Sequence, residues 1–209
     1  MQESLSAAPL AAIVLAGGRS ARMGRDKATL CVDGEPLLSR TVRVVAEVAS
    51  PVIVVAGPDQ TSIADPRVGV VRDERPHEGP LVALVRGLQA LGGRADQAFV
   101  CGTDHPRLVA SVVVRLHELA RGHDAAVALI DGEPQLLCAV FDRAVVGVAS
   151  DQLARGKRSM RSLVGEISIR YVTTNELLDD PRVKRDDPRL LSFVDVDTPD
   201  DLRWLEQNQ

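Results

Sequence analysis

The sequence predicts an α/β protein: a three-layer fold with a mostly parallel sheet and helices on both faces. Apolar runs such as residues 11–16 and 52–55 are typical of strands that are buried on both faces. These runs alternate with helix-length segments of 3.6-residue apolar spacing as far as Gly122. Aromatic residues make up only 2% of the 209 residues, so Val, Leu, Ile and Ala must build the core.

The first half of the chain predicts four strands and three helices. Gly17 and Gly18 close the first apolar run, Pro36 precedes the first helix, and Gly79 with Pro80 begins the second. The predicted strands are residues 11–16, 52–55, 68–71 and 98–101. The predicted helices begin at residues 36, 80 and 109, and the last two end at the glycines of positions 92–93 and 122.

The pattern changes after residue 122. Two strands, residues 124–130 and 135–141, are joined by a predicted turn at 131–134. Short helices are expected at 145–154 and 159–164, strands at 167–173 and 193–196, and a charged surface loop at 176–189. Thr198 is the expected N-cap of a last helix, with Pro199 at its first position and Asp201 completing a capping box.

Composition and charge exclude several classes of protein. The net charge of -4 argues against a general nucleic-acid binder, which needs a positive face. The apolar stretch at 10–16 is too short to cross a bilayer, and residues 1–9 lack the pattern of a signal peptide, so we expect a cytoplasmic protein. The isolated cysteines predict neither a disulfide nor a zinc site, and we expect all three to be buried, inert thiols: Cys31, Cys101 and Cys138.

The loop after the first strand combines glycines with cations. Gly17 and Gly18 let backbone N–H groups approach phosphate oxygens closely. Four cations follow within nine residues: Arg19, Arg22, Arg25 and Lys27. Ligands of open α/β sheets bind at such strand ends, so the loop predicts a polyphosphate site. Basic glycine-rich loops are also common without a ligand, and neither GxGxxG nor GxxxxGK is present, so the residues alone leave both interpretations open.

The segment LAGGRSARMGRDKATL resembles the signature loop of the nucleotidyltransferase superfamily, and among its members it is most similar to the molybdenum cofactor guanylyltransferases. The resemblance implies a Rossmann-like, GT-A-like sheet of the nucleotide-diphospho-sugar transferase type. It also implies that Lys27 contacts the nucleotide phosphates and Arg22 the departing ones. The implied nucleotide-binding residues of the loop are Leu15, Ala16, Gly17, Gly18 and Lys27. Relatives that use CTP tend to have LAAG where this chain has LAGG.

Two further motifs follow in the family's order. Asp73, followed by Gly79-Pro80-Leu81, resembles a segment in which the aspartate contacts the base or ribose region. The alternative is that Asp73 caps a loop and Gly79 begins a helix. Asp104, in Thr103-Asp104-His105-Pro106, matches the family's DxP motif and is implied to bind both the nucleotide and Mg²⁺. His105 occupies the variable position and is expected to be a bystander, and Gly102 departs from the residues that relatives often have.

The acceptor-binding residues are expected in the second half. Residues 134–141 resemble a strand that lines the acceptor pocket, and Lys157 with Arg158 is positioned to meet the acceptor phosphate or to form a solvated basic turn. Near the C-terminus, Asp195 and Asp197 stand where guanylyltransferases often carry asparagines. On a strand the two carboxylates would share one face, with Asp195 as a second metal ligand opposite Asp104 and Asp197 as a helix cap.

The resemblance implies one nucleotidyltransferase domain over residues 1–209, with a nucleotide-binding half at 10–122 and an acceptor-binding half at 123–209. The implied reaction transfers GMP from GTP to the phosphate of molybdopterin with Mg²⁺ and releases pyrophosphate, with Arg22, Lys27 and Asp104 as the catalytic residues. Other implied partners are proteins that insert the cofactor or receive it. The alternatives are a CTP-using or otherwise different transferase of the same fold, and a non-catalytic nucleotide-binding protein.

Overall fold

A computed structural model describes residues 9–17, 31–58, 60, 68–74, 78–196, 198, 200–201 and 203–204. The strands of that part are β1 Leu10–Leu15, β2 Cys31–Val32, β3 Glu35–Pro36, β4 Val52–Ala56, β5 Val68–Arg72, β6 Gln97–Gly102, β7 Ala125–Ile130, β8 Glu133–Asp142 and β9 Ile169–Thr173. Its α-helices are α1 Leu37–Ala46, α2 Pro80–Leu91, α3 Ala110–Leu119, α4 Val145–Ala154, α5 Thr174–Leu178 and α6 Pro181–Asp186. Two 3₁₀ helices, Met160–Leu163 and Leu191–Phe193, complete these elements.

Seven strands form one sheet in the order β5-β4-β1-β6-β8-β7-β9. Strands β5, β4, β1 and β6 are parallel neighbours, and β7 pairs in parallel with β9. Only β8 of this sheet runs the other way, because it pairs antiparallel with both β6 and β7. The prediction of a mostly parallel sheet is therefore confirmed, and the sheet draws strands from both halves of the chain.

The alternation of side chains along β1 divides the core into two layers. Ala12 and Val14 face the layer that contains α1, α3, α5 and α6. Ile13 and Leu15 face the layer that contains α2 and α4. Both layers exclude solvent from the central strand, since Ile13 and Val14 have no exposed surface. The predicted three-layer arrangement is confirmed, and the central strands are apolar throughout because helices cover both faces.

The β7–β8 connection is tighter than predicted. The expected four-residue turn is a two-residue turn in which Asp131 and Gly132 have φ angles of 51° and 82°. Ile130 pairs directly with Glu133, and Pro134 already lies in β8 opposite Leu129. Positive φ at both central positions is the geometry of a type I′ hairpin, which Asp-Gly favours. As a result β8 is longer than the predicted strand at 135–141, whereas β7 begins one residue later than predicted.

The predicted surface loop at 176–189 is wrong, because this segment contains most of α5 and all of α6. Thr173 and Glu176 form a capping box at the start of α5, and Asp180 caps α6 ahead of Pro181. Each helix is too short to show a repeating apolar pattern, and only Leu177 and Val183 are fully buried. Local capping stabilises both helices, together with packing of α5 on the sheet and of α6 on α3 and α5.

The predicted strand at 193–196 is also wrong. Leu191–Phe193 is a 3₁₀ helix, and residues 194–196 are irregular. Its turn is held by the Asp187 carboxylate, which accepts hydrogen bonds from the backbone N–H groups of Leu191 and Ser192 at 2.7 and 2.9 Å. The alternation of side chains that the sequence argument assigned to Asp195 therefore does not apply.

The N-cap prediction at the last helix is confirmed by a reciprocal capping box. The Thr198 hydroxyl accepts from the Asp201 N–H at 3.2 Å, and the Asp201 carboxylate accepts from the Thr198 N–H at 2.7 Å. Asp197 and Pro199 lie outside the described residues, so the capping role predicted for Asp197 stays a prediction. Within the described ranges, no helix is both long and apolar enough to cross a membrane.

The cysteine prediction holds for two of the three thiols. Cys101 and Cys138 are fully buried, and they oppose each other across β6 and β8. Burial raises the pKa of both thiols, which keeps them protonated and unreactive. Cys31 is exposed, which corrects the prediction for it. It lies at the start of the β2–β3 hairpin, whose outward side chains the sequence pattern did not reveal.

Candidate active site

The carboxyl ends of four parallel strands meet at one edge of the sheet. Leu15, the last residue of β1, is level with Val55 of β4 and with Gly102 of β6. On the far side of β4, Ala56 is level with Arg72, the last residue of β5. The residues that follow these strands are therefore neighbours in space: Ala16, Gly17, Gly57, Asp73 and Asp104. This edge is where open α/β sheets bind their ligands.

Hydrogen bonds hold the beginning of the glycine loop against β4. The N–H of Ala16 donates to the Val55 carbonyl at 2.9 Å. The side chain of Gln60 bridges the two connections: its Nε2 donates to the Ala16 carbonyl at 3.0 Å, and its Oε1 accepts from the Gly57 N–H at 2.9 Å. Sequence reasoning gave Gln60 no role. Its amide fixes the direction in which the chain leaves β1.

Gly17 lies where a side chain would be crowded. A Cβ at this position would be 3.2 Å from the backbone nitrogen of Gly57 and 3.4 Å from Oδ2 of Asp73. Two of the residues predicted to bind the nucleotide, Gly17 and Asp73, therefore lie next to each other. The remaining predicted residues of the loop lie outside the described residues: Gly18, Arg22 and Lys27.

Asp73 follows β5 and is buried, with 8% of its surface exposed. Its N–H donates to the Ala56 carbonyl at 2.8 Å, which fixes its backbone to β4. Its Oδ1 accepts from Nη1 of Arg86 at 2.7 Å, and the same nitrogen lies 2.8 Å from Oε2 of Glu78. Burial raises the pKa of the Asp73 carboxyl, while the hydrogen bond and charge of Arg86 act in the opposite direction.

Sequence reasoning missed Arg86 and Glu78. A signal was available, because Arg86 is the only charged residue in the sequence of α2, PLVALVRGLQAL. A lone arginine in an apolar helix requires a partner when it is only partly exposed. The sequence could not say which carboxylate would be that partner, since Asp73 lies 13 residues away.

Asp104 lies at the same edge on the other side of β1. Its side chain is 25% exposed, and its Oδ1 is 3.6 Å from Nε2 of His105. The carboxylate folds back over β6, because a Cβ at Gly102 would lie 2.1 Å from Asp104 Oδ1. The unusual glycine of this motif is thus explained by the close approach of the aspartate. His105 is 5% exposed and touches the carboxylate, so it is a packing neighbour of Asp104.

A backbone hydrogen bond places the segment of Asp195 next to that of Asp104. The N–H of Val196 donates to the Asp104 carbonyl at 2.8 Å, so the preceding residue, Asp195, lies beside the Asp104 segment and is exposed. Val194 packs against Val32 and Leu37, which anchors the segment on its other side. The segment that contains Asp195 therefore lies next to the Asp104 segment although the predicted strand is absent, and the role of Asp195 as a metal ligand stays a prediction.

Two predicted motifs that are distant in sequence are joined at the start of α2. The Arg158 carbonyl accepts from the N–H of Leu81 at 3.2 Å. A Cβ on Gly79, whose φ is 97°, would lie 2.8 Å from that carbonyl oxygen. Gly79 therefore admits the backbone of the 157–158 turn. Lys157 and Arg158 have exposed side chains, and the guanidinium of Arg158 donates to the carbonyls of Leu153 and Lys157 at 3.0 and 2.9 Å.

The described residues contain no group of three or more His, Cys, Asp or Glu side chains that could hold a metal ion by themselves. The carboxylates of Asp104 and Asp195 are the oxygen donors that this edge offers on the β6 side. A cation with hard oxygen ligands here would need further oxygens from a phosphate ligand or water. This donor set suits Mg²⁺, which usually keeps several waters and takes few protein ligands.

A sheet of this kind, with glycines and carboxylates at its carboxyl edge, belongs to the nucleotide-binding α/β enzymes. The chain is a nucleotidyltransferase. Residues 12–171 match the model of the MobA-like NTP transferase domain, and the chain belongs to that family.

Relatives agree with this assignment, and a solved structure shares the fold. The chain is 41% identical over 160 residues to a probable molybdenum cofactor guanylyltransferase from Mycobacterium tuberculosis, covering 75% of this chain and 79% of the relative. A relative of the same description from Mycobacterium avium is 36% identical over 202 residues and 95% of each chain. The fold is similar to that of molybdopterin-guanine dinucleotide biosynthesis protein A from Archaeoglobus fulgidus, with a TM-score of 0.77, 19% identity and coverage of 94% and 97%.

Proposed function

We propose that the protein transfers GMP from GTP to the phosphate of molybdopterin or the molybdenum cofactor and releases pyrophosphate, with Mg²⁺ as the required cation. The observation that carries this proposal is the 36% identity along 95% of both chains to a relative described as a molybdenum cofactor guanylyltransferase. Support comes from the LAGG loop, since Gly17 lies against Asp73 at the ligand-binding edge of the sheet.

In the proposed reaction, a phosphate oxygen of the acceptor attacks the α-phosphate of GTP in line with the departing pyrophosphate. The acceptor phosphate is already ionised at neutral pH, so no general base is required. The chain supplies position and positive charge: loop N–H groups, Lys27 and Arg22 hold the triphosphate, and Asp73 lies at the nucleoside end. The sequence accordingly lacks a nucleophilic Cys or Ser constellation.

The residues at the β6 corner fit Mg²⁺. Asp104 presents a partly exposed carboxylate at a strand end, and Asp195 lies on the adjacent segment. Asp104 would hold the cation and Asp195 would be its second protein neighbour. A bound Mg²⁺ supplies charge neutralisation on the triphosphate and stabilises the developing charge of the leaving group.

The acceptor is proposed to bind beside the second half of the chain. Lys157 and Arg158 are exposed on a turn that docks against the start of α2. The backbone of this turn contacts Gly79, close to Asp73 and Glu78. The acceptor phosphate would therefore meet Lys157 and Arg158 next to the nucleotide. The division into a nucleotide-binding half at 10–122 and an acceptor-binding half at 123–209 is part of this proposal, as are a cytoplasmic location and cofactor-inserting proteins as partners.

The test is pyrophosphate release by the full chain with Mg²⁺, molybdenum cofactor and each of the four NTPs in turn. We expect release with GTP and loss of release when the cation is chelated. Release with CTP alone would place the chain with the CTP-using transferases. Binding of GTP without release, for the acceptor in either its metal-free or its metal-loaded form, would favour a non-catalytic nucleotide-binding protein.

A further inference from the structure

We propose that Arg86 is a positioning residue for nucleoside recognition: it holds Oδ1 of Asp73 so that Oδ2 is presented to the nucleoside at Gly17. This inference rests on the proposed function, because it assumes that a nucleotide lies along the Gly17 edge of the sheet. Neither the signature loop nor the DxP motif includes Arg86, which acts through Asp73 and is not itself a catalytic residue.

The geometry shows a carboxylate that is fixed from two sides. Nη1 of Arg86 lies 2.7 Å from Asp73 Oδ1 and 2.8 Å from Glu78 Oε2. The Asp73 N–H is bonded to the Ala56 carbonyl at 2.8 Å, so neither the backbone nor Oδ1 is free to turn. The side chains of Asp73 and Arg86 are 8% and 18% exposed, which protects the pair from solvent.

The second oxygen points toward the glycine loop. Asp73 Oδ2 would lie 3.4 Å from a Cβ on Gly17, and the absence of that Cβ leaves room for a ligand atom to approach. Because Oδ1 is engaged by Arg86, Oδ2 is the oxygen that remains available to a ligand. The pair therefore presents one oriented, negatively charged hydrogen-bond acceptor at the ligand-binding edge.

A carboxylate at this place selects the nucleoside and not the phosphates. Phosphate oxygens carry negative charge and would be repelled, whereas N–H and O–H groups donate to the carboxylate. A guanine offers its N1–H and its N2 amino group, and the ribose offers hydroxyl groups. Both sources provide the same hydrogen-bond chemistry, so substrate analogues must distinguish them.

Arg86 also acts on the pKa of Asp73, which burial raises and which the hydrogen bond and charge of Arg86 lower. The charged groups that face Asp73 among the described residues are Arg86 and Glu78, while Gly17 and Gly57 face it with backbone only. Glu74 adds a carboxylate 3.8 Å from Nη2 of Arg86. Without the guanidinium, burial and the negative charge of Glu78 both raise the pKa of Asp73. A protonated Asp73 would no longer be a charged acceptor, and it could rotate.

The experiment compares Arg86→Gln and Arg86→Lys with Arg94→Gln, a control at an exposed arginine in the turn that follows α2. The dissociation constant of GTP is measured by calorimetry between about pH 5.5 and pH 8, with KM and kcat from pyrophosphate release. We expect Arg86→Gln to weaken GTP binding about 10-fold at neutral pH and raise KM with little change in kcat. Its affinity should fall further as the pH is lowered.

The other variants set the limits of this effect. Arg86→Lys keeps a cation next to Asp73 and should recover part of the affinity and bring its dependence on pH closer to that of the wild type. The wild type and Arg94→Gln should share one dependence of GTP affinity on pH, which includes the titration of the terminal phosphate of GTP, and Arg86→Gln should lose more affinity than they do at low pH. If inosine triphosphate loses the Arg86 effect, the donor is the N2 amino group of the base, and if 2′-deoxy-GTP loses it, the donor is a ribose hydroxyl.

A merely structural Arg86 would give a different result. Arg86→Gln would then lower the midpoint of thermal unfolding, while the folded protein would bind GTP with wild-type affinity at every pH, and this overturns the inference. Failure of the proposed function is recognisable separately, because the wild type itself would then show no GTP binding. If Arg86→Gln does not fold, a smaller pH-dependent loss must still appear in Arg86→Lys, and its absence there also overturns the inference.

Discussion

Asp73 and Asp104 occupy equivalent places, each just beyond a parallel strand at the same edge of the sheet, but their surroundings are opposite. Asp73 is 8% exposed and bonded to Arg86, whereas Asp104 has a side chain that is 25% exposed and lies against His105. A guanidinium neighbour orients a carboxylate and occupies one of its oxygens. Asp104 keeps a quarter of its side-chain surface exposed at the edge of the sheet, where a cation can approach it.

Position in the fold therefore selects which residues meet the ligand, while the immediate neighbours decide what each residue does. On this basis the Asp73 corner should govern binding of the nucleoside, and the Asp104 corner should govern the chemical step. Variants at the two corners should therefore separate KM from kcat.

The largest effect is expected at the Asp104 corner. Asp104→Ala should lower kcat for pyrophosphate release by about 10³-fold, because a preorganised charge at the reacting phosphates is lost. Its circular dichroism and unfolding midpoint should match the wild type, since this partly exposed side chain contributes little packing. Wild-type turnover in this variant would remove Asp104 from the metal site.

Lys27 should affect both corners together, because an ammonium in the loop meets phosphate charge in the ground state and in the transition state. We expect Lys27→Ala to reduce kcat/KM by about 10²-fold, divided between weaker GTP binding and slower turnover. Calorimetry and steady-state kinetics measure the two parts. An unchanged dissociation constant for GTP would contradict the role assigned to Lys27.

Asp73→Asn should act on binding alone. The amide keeps the shape of the side chain but removes the charge from its hydrogen bonds, so GTP binding should weaken about 10- to 30-fold. The rate at saturating GTP should stay within about 2-fold of the wild type. A large fall in kcat with unchanged KM would contradict the proposal that the Asp73 corner governs nucleoside binding and the Asp104 corner governs the chemical step.

Gly17→Ala tests the space between the corners. The added Cβ would lie 3.2 Å from the Gly57 nitrogen and 3.4 Å from Asp73 Oδ2, so the loop must shift by a few tenths of an ångström. We expect about 5-fold weaker GTP binding and a smaller loss, or none, for CTP. Gly147→Ala is the control, since an added Cβ there meets nothing within 4 Å. Equal losses for both nucleotides would argue against a role of Gly17 in base selection.

Asp195→Asn should have the smallest effect. The residue is exposed and reaches the Asp104 corner only through its neighbour Val196, so the amide should support activity at saturating Mg²⁺. The Mg²⁺ concentration at half-maximal rate should rise by no more than about 3-fold. Complete loss of activity at saturating Mg²⁺ would make the carboxylate essential and would bring the enzyme closer to the CTP-using transferases.

The parallel part of the sheet could be predicted well because each strand is buried on both faces. Residues 11–16 and 98–101 are uninterrupted apolar runs, and the structure has β1 and β6 within one residue of these bounds. Helix α2 ends at Gly92 in the left-handed conformation, as its glycine signal predicted. These signals are local, so no knowledge of distant residues was needed.

The C-terminal elements could not be predicted as well, because long-range contacts decide them. Helices α5 and α6 are stabilised by capping and by the burial of Leu177 and Val183 in the core, with too few residues to repeat a pattern. The segment with Asp195 looked like a strand because Val194 and Val196 alternate with it. Val194 instead packs against Val32 and Leu37, and the N–H of Val196 donates to the Asp104 carbonyl.

The sequence alone determined the fold class, the family motifs and the order in which those motifs occur, because apolar periodicity and glycine positions are properties of neighbouring residues. Only the tertiary structure decided that Arg86 clamps Asp73, that the Arg158 carbonyl sits on Gly79, and that Asp104 folds over Gly102. The first two contacts depend on how segments that are distant in sequence pack together, and the third depends on the path that the chain takes after β6. The pairing of a buried charge is set by that packing, since the sequence contains many carboxylates and the fold brings only a few within hydrogen-bond distance of one guanidinium.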